Sequence, residues 1–242
     1  MKYFDFGAVR GSAMMAVVMG AAAFGLSGCL GSSSSSSGGS SVGGGGAVSA
    51  PTPGSLIGNR QAPDLAQTSQ LAGAILATET FDGEDGPRIA SLLTDIAAAG
   101  SAPTPDTSAL AGTASYAGDF IMQEINDGDT SILGDFAMSV DFDNGNLTGT
   151  LGSQAIVDDG FDRDVATGTG TINGTVMGNA MTAAFTGAYS GADQGGQIDG
   201  RMDGQFVGTG AETVAGGMTA AVRIGGETTV FDGGFAGTRA AP

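Results

Sequence analysis

From about residue 110 onward, apolar and polar side chains alternate with a period of two. Gly134–Phe142 reads Gly-Asp-Phe-Ala-Met-Ser-Val-Asp-Phe. Phe136, Met138, Val140 and Phe142 fall on one face, and Asp135, Ala137, Ser139 and Asp141 on the other. Such alternation marks a strand with one dry and one wet face. Asp143-Asn144-Gly145-Asn146 follows, and Asn-Gly is the strongest short hairpin signal. Leu147–Leu151 then returns, so residues 134–152 are expected to form a hairpin. The same logic repeats down the chain. Ile172 and Val176 alternate with the threonines of Thr167–Thr175, and Gly178-Asn179 turns. Met181, Ala183, Phe185 and Tyr189 form the next dry face. Ile198, Met202 and Phe206 alternate with Asp199, Arg201, Asp203 and Gln205, and Val214, Met218, Ala220 and Val222 follow. Gly225-Gly226 turns, and Thr228–Gly237 closes the series with Phe231 and Phe235.

Adding a first strand around Thr113–Ile121 gives eight. Short strands at regular spacing with tight turns point to a sandwich or a barrel. Eight strands suit a closed barrel whose interior is just filled by side chains. The expected fold class is all-β: an eight-stranded antiparallel up-and-down soluble β-barrel with a filled apolar interior. Glycines recur at alternate strand positions, at Gly168, Gly170, Gly174, Gly200, Gly204 and Gly216. Strand glycines fit places where the strand bends, such as barrel corners, or where another backbone comes close. A membrane barrel would carry a continuous apolar outer band with aromatic girdles. Here there is no tryptophan, there are three tyrosines, and glycine interrupts the apolar faces.

Before residue 100 the period changes. Asp64 and Gln67 have the spacing of a capping box, and Leu65, Ala72, Ile75 and Leu76 fall near one face. Pro87 sits where a first-turn proline is tolerated. Ile89, Leu92, Leu93 and Ile96 recur at helical spacing, and Gly100 ends the pattern. The loop Phe81–Gly86 joins the two helices, and Ser101-Ala102-Pro103-Thr104-Pro105 marks a domain boundary.

The N-terminus adds a different element. Lys2 and Arg10 precede an almost wholly apolar or small run, Ala13–Leu26. At about 14 residues it is too short to span a membrane, and it reads as a secretion signal. Leu26-Ser27-Gly28-Cys29 resembles the lipobox of bacterial lipoproteins. That resemblance implies lipidation of Cys29 and cleavage in front of it. Leu30 in place of aspartate then favours the outer membrane of a Gram-negative cell. Several acyl chains anchor a protein stably without a spanning helix. Residues 30–50 are rich in serine and glycine and read as a disordered tether, which Pro51, Pro53 and Pro63 extend. Its reach is roughly 25 Å. The expected organisation is a signal peptide over 1–28, a lipidated cysteine and tether over 29–63, a short helical segment over 64–100, a linker over 101–109 and a barrel over 110–240.

Composition narrows the chemistry. Removing residues 1–28 takes away Lys2, Arg10 and Asp5, leaving six arginines against 24 acidic side chains and a net charge of −18. That surface repels phosphate backbones, so nucleic acid is not an expected partner. The charge favours solubility and basic partners. There is no histidine, and the one cysteine is the anchor. Ser-His-Asp and Cys-His catalysis in their common forms are thereby removed, as are the usual zinc and copper ligands. No catalytic residue, cofactor or metal is expected. Three acidic clusters raise the question of calcium: Asn126-Asp127-Gly128-Asp129; Asp141, Asp143, Asn144 and Asn146; and Asp158, Asp159, Asp162 and Asp164. Counted from Asp141, the second places Asn146 at position six and Gly152 at position twelve, where a calcium loop needs glycine and glutamate. Asx-rich turns serve hairpins without metal. Asp199, Arg201 and Asp203 share a strand face and read as a solvated row with cross-strand ion pairs rather than a glycosidase carboxylate pair.

Several stretches together resemble a known family. They are Gly118-Asp119-Phe120, the hairpin from Asp143 to Gly149, Gly170–Thr175, and the ending Val230-Phe231-Asp232-Gly233-Gly234-Phe235-Ala236-Gly237-Thr238-Arg239. In order, they are similar to the β-barrel domain of transferrin-binding protein B and related surface lipoproteins of Gram-negative bacteria. The resemblance covers roughly residues 110–240. It implies an eight-stranded barrel displayed outside the cell that captures a host protein. The full receptor has two lobes, each with a handle and a barrel, whereas this chain shows one barrel and a short helical segment. No ligand-contacting residue carries over. Two functions stay open. One is a lipid-anchored envelope protein whose barrel captures an extracellular protein or solute, in iron or nutrient acquisition and alongside an outer-membrane transporter. The other is a structural envelope lipoprotein without a specific ligand.

Overall fold

A computed structural model describes Ile57 and residues 60–125, 130–157, 163–164, 166–191, 195–224 and 227–241. Two helices, α1 (Leu65–Thr78) and α2 (Gly86–Ala99), come first, followed by a 3₁₀ turn at Thr107–Ala109. The strands are β1 (Thr113–Glu124), β2 (Ser131–Asp141), β3 (Asn146–Val157), β4 (Arg163–Asp164), β5 (Ala166–Met177), β6 (Ala180–Gly191), β7 (Gly195–Val207), β8 (Thr213–Ile224) and β9 (Glu227–Arg239). Each long strand runs antiparallel to the next, and β9 pairs back onto β1, from Tyr116 opposite Arg239 to Glu124 opposite Phe231. β4 pairs only with Ile156 and Val157 of β3. The wall is therefore a closed up-and-down barrel of eight long strands, as the alternation predicts. The hairpin expected over 134–152 is β2 and β3, joined through residues 142–145.

The apolar faces point inward. Tyr116, Phe120, Phe136, Phe185, Phe206 and Phe235 are all at most 2% exposed and fill the barrel with Met138, Leu147, Leu151, Met202 and Met218. Thr148, Thr171, Thr175 and Thr186 point outward and are exposed. A lipid-facing barrel has the opposite arrangement. The side chain of Tyr189 and the expected turn at Gly225-Gly226 lie outside the described residues.

The strand glycines have a specific role. Phe120 lies opposite Gly134, Phe136 opposite Gly118, Phe185 opposite Gly200, and Phe235 opposite Gly216. A Cβ on Gly134 would stand 2.6 Å from Phe120 Cε1, and one on Gly204 would stand 2.7 Å from Phe235 Cζ. The Phe120 and Phe185 rings lie over the glycine of the paired strand, Gly134 and Gly200, while the Phe136 and Phe235 rings reach one strand further, over Gly237 and Gly204. Rings this large fit inside eight strands because the opposing positions have no volume. Of the strand glycines singled out in the sequence, Gly200 and Gly204 thus make room for rings. At Gly174 the intruders are Ala183 and the β6 backbone (2.6 and 2.7 Å from a Cβ to Ala183 Cβ and Cα), the close approach that strand glycines also permit.

β8 breaks the alternation. Every residue from Val214 to Val222 is buried, because the helices cover its outer face. Leu65, Ala72, Ile89, Leu92, Leu93, Ile96 and Ala99 pack on Leu133, Val207, Ala215 and Ala236, with Ile121 at the margin. Ile89, Leu92, Leu93 and Ile96 each contribute a gross ~1.5–3 kcal/mol on burial. The wall beneath is small enough to let the helical segment close in. A Cβ on Gly234 would meet Thr68 Cγ2 at 2.6 Å and Ile96 Cδ1 at 3.0 Å, and one on Gly217 would strike the Pro63 carbonyl. α1 starts with the expected capping box: Asp64 Oδ1 accepts from the Gln67 N–H (2.8 Å), and Gln67 Oε1 accepts from the Asp64 N–H (3.3 Å). Helices and barrel belong to one compact unit spanning Ala47–Pro242. The linker is stitched in as well: the Gly208 N–H donates to the Pro103 carbonyl (2.8 Å) and the Asp106 N–H to the Thr209 carbonyl (3.0 Å).

Candidate functional site

The two ends of the barrel differ. One end carries the turns at 142–145, Gly178-Asn179 and 208–212, and it is plugged. The Tyr116 hydroxyl donates to the Ala211 carbonyl (2.8 Å). Phe206 lies 5.1 Å from the Tyr116 ring centre and 5.0 Å from that of Phe142. Burial pushes the Tyr116 pKa up to about 12. Arg239 Nη1 donates to the Gly210 carbonyl (3.0 Å). Ala211 holds φ +54, in the left-handed region that costs a side-chain-bearing residue about 1 kcal/mol.

At the other end stand Glu124, Ser131, Val157, Arg163, Ala166, Gly191, Gly195, Ile224 and Glu227, the strand termini. The segments joining them, 126–129, 158–162, 165, 192–194 and 225–226, lie outside the described residues. In sequence they hold Asp127, Asp129, Asp158, Asp159, Asp162 and Asp193 and no basic residue. Because side chains fill the described interior, the described surface left for recognition is the outer wall not covered by the helices, notably that of β3, β5 and β6. That wall is hydroxyl-rich and uncharged, with Thr148, Thr150, Thr171, Asn173, Thr175 and Thr186 exposed.

Leu26, Ser27, Gly28 and Cys29 lie outside the described residues, as do Asn126–Asp129 and Asp158, Asp159 and Asp162. Of the third acidic cluster only the Asp164 backbone is described, paired with Ile156. The second cluster is a turn lock. Asp141 Oδ1 accepts from the N–H groups of Asp143 and Asn144 (3.1 Å each), and Asp141 Oδ2 accepts from Asn144 Nδ2 (2.7 Å). The Asn144 side chain, followed by these backbone bonds, holds the Asp141 carboxyl below its usual pKa. Asp143 Oδ1 accepts from the Gly112 N–H (3.0 Å). Among the described residues no three acidic side chains gather to hold a metal.

The row on β7 departs from expectation. Arg201 stands opposite Ala184 and Thr219, and Asp203 opposite Thr182 and Gly217, so neither faces an opposite charge directly across the ladder. Asp203 accepts from the Thr182 hydroxyl (2.8 Å) instead. The ion pairs among the described residues hold the helical segment to the wall. Arg60 bonds both Asp232 (2.5 Å) and the Thr219 hydroxyl (3.2 Å), and Arg88 pairs with Asp119 (2.5 Å). The bond to Asp232 raises the Arg60 pKa further. Burial and the Asp119 charge raise the pKa of the Asp95 carboxyl. The stretch read as tether over 29–63 therefore docks at its end, through Arg60 and Pro63. The run of small and apolar residues in β8, without a charge from Val214 to Val222, was the sequence signal for this covered wall.

A match to the family described as C-lobe and N-lobe beta barrels of Tf-binding protein B covers residues 109–239. The chain belongs to this family. Among solved structures, the vaccine antigen transferrin-binding protein B from Haemophilus parasuis Hp5, in a point-mutant form, matches at 17% identity and a TM-score of 0.31. The match covers 57% of this chain and 29% of that one, so the chain accounts for under a third of that protein's length. No curated protein matches. The family's barrel belongs to a binding protein. Among the described residues no helix is long and apolar enough to cross a membrane.

Proposed function

We propose that this Tf-binding-protein-B-type barrel is a lipid-anchored binding module of the Gram-negative cell envelope that captures an external protein in iron or nutrient acquisition. The observation that carries the reading is the filled interior: among the described residues Phe120, Phe185, Phe206 and Phe235 are at most 1% exposed and occupy the space a small solute would need. Recognition then falls to the outer surface, which suits a macromolecule, and the acidic composition of the chain favours a partner with a basic face. In this reading, residues 1–28 are the signal, with Leu26-Ser27-Gly28 as the lipobox. Cys29 carries the lipid, and the serine-rich tether gives the barrel reach from an outer-membrane anchor beside an outer-membrane transporter. Metabolic labelling with a fatty-acid analogue tests the anchor. The native chain is expected to take the label and sediment with membranes, and Cys29→Ser to lose both. A Cys29→Ser chain that remains labelled and membrane-bound would overturn it.

A further inference from the structure

We propose that Asn144-Gly145 is a latent succinimide-forming site whose ageing is restrained by Asp141. An asparagine followed by glycine is the dipeptide most open to this chemistry, because glycine offers no side chain to hinder attack. The Gly145 amide nitrogen loses its proton to base and attacks Cγ of Asn144. The bond from Cγ to Nδ2 breaks, and that nitrogen leaves as ammonia with a proton from water. Water then opens the succinimide ring at either carbonyl, giving aspartate or isoaspartate at 144. The net change is amide plus water to carboxylic acid plus ammonia.

Asn144 is exposed, at the tip of the β2–β3 hairpin. Gly145 adopts φ +67. Two contacts oppose the reaction. The Asn144 carboxamide is folded back onto residue 141, where Nδ2 donates to Asp141 Oδ2 at 2.7 Å, and the Asn144 N–H is held by Oδ1 of the same carboxylate. Gly145 is held from the other side, its carbonyl accepting from the Val176 N–H at 2.9 Å. To react, the carboxamide must leave a charged acceptor and swing toward residue 145. The product would place a second carboxylate where Nδ2 now meets Asp141, and an isoaspartate would add a methylene to the turn. Either change loosens the hairpin tip.

The molecule contains its own control. Asn173-Gly174 is the same dipeptide within β5, where Gly174 is paired with Leu147 on one side and Ala183 on the other. That extended, doubly paired backbone keeps the glycine nitrogen out of reach.

The test is peptide mapping of the full chain during incubation at mildly alkaline pH. Cleavage after Arg88, Arg163 and Arg201 places Asn144 and Asn173 in separate fragments. Losing a hydrogen bond to a carboxylate is expected to speed conversion at Asn144 in Asp141→Ala by about tenfold, or ~1.4 kcal/mol of barrier. Asp141→Asn, a weaker acceptor, is expected to fall between. Asn173 should remain unconverted in all three folded proteins, and in urea the two sites should convert alike. Equal rates at Asn144 in the native and Asp141→Ala proteins would overturn the proposal, as would faster conversion at Asn173 than at Asn144 in the folded chain. Simultaneous acceleration at both sites in Asp141→Ala, with Asp141→Asn unchanged from native, would show unfolding rather than a lost restraint and would also overturn it.

Discussion

Gly200→Ala should destabilise the barrel, and the damage should depend on Phe185. An added Cβ would stand 2.6 Å from Phe185 Cε1 and 2.5 Å from the Thr219 carbonyl oxygen. Real Cβ atoms do not come this close, so the ring and a neighbouring strand must both give way. Overpacking of this kind costs about 1–3 kcal/mol. Against it, alanine restricts the unfolded chain and returns ~0.4–1 kcal/mol. The backbone oxygen cannot rotate away, so the cost should exceed the return, with a net loss of about 2 kcal/mol and a Tm lower by about 4–8 °C for a unit of this size. With no tryptophan in the chain, urea unfolding is best followed by far-UV circular dichroism. Phe185→Ala alone should cost ~3–5 kcal/mol by leaving a cavity. In that background the ring is gone and only the Thr219 contact remains. Gly200→Ala should then cost at least ~1 kcal/mol less than in the native chain. If its cost is the same in both backgrounds, within the ~0.3–0.5 kcal/mol of ordinary additivity, the glycine is not a seat for the ring and the account of the interior is wrong.

Other predictions follow from the same contacts. Gly73, mid-helix in α1 with nothing within 4 Å of an added Cβ, should accept alanine with a gain of ~0.5–1 kcal/mol, seen as a higher urea midpoint. Gly217→Val should push Pro63 off the wall, so that limited trypsin digestion reaches Arg60 and Arg88 faster while the barrel fragment stays resistant. Unchanged protection would refute the docking role of Gly217. Tyr116, with its pKa raised to about 12, favours the neutral phenol in the fold. Its contribution is full below pH 10 and is lost as pH rises from 10 through 12, so alkaline unfolding in that window should weaken in Tyr116→Phe. That variant should also lose ~1–3 kcal/mol at neutral pH, because the buried Ala211 carbonyl loses its donor. Asp95→Asn should be more stable than the native chain at neutral pH. The advantage should fade as pH falls through the raised Asp95 pKa, since the native carboxyl is then protonated too.

Much of this fold was written in the alternation. Phe136, Met138 and Val140 identify the inner face of β2, and Asn144-Gly145 locates its turn, because a half-buried strand and a tight hairpin each impose a local pattern. β8 was harder to read. Val214–Val222 is buried on both sides, so a period of two disappears, and only the tertiary cover of α1 and α2 explains why Ala215, Gly217 and Ala221 are small and uncharged. The role of the glycines at 200 and 204 as seats for rings was not legible because the rings that need them belong to other strands. The stitching of Pro103 to Gly208 involves backbone groups alone, which side-chain patterns do not report. The functional surface left the weakest trace. A wall of threonines shares no spacing rule comparable to a metal motif or a catalytic triad, since its grouping comes from barrel closure rather than from the local chain.

The measurement that bears most directly on the proposed role is protease shaving of intact cells, with a periplasmic protein as control and a parallel sample whose outer membrane has been opened. A broad-specificity protease should cut the serine-rich tether of intact cells and release the folded barrel into the medium while the control stays whole. A chain that resists in intact cells and is cut only once the outer membrane is opened would place the barrel in the periplasm, and capture of an external protein would be contradicted.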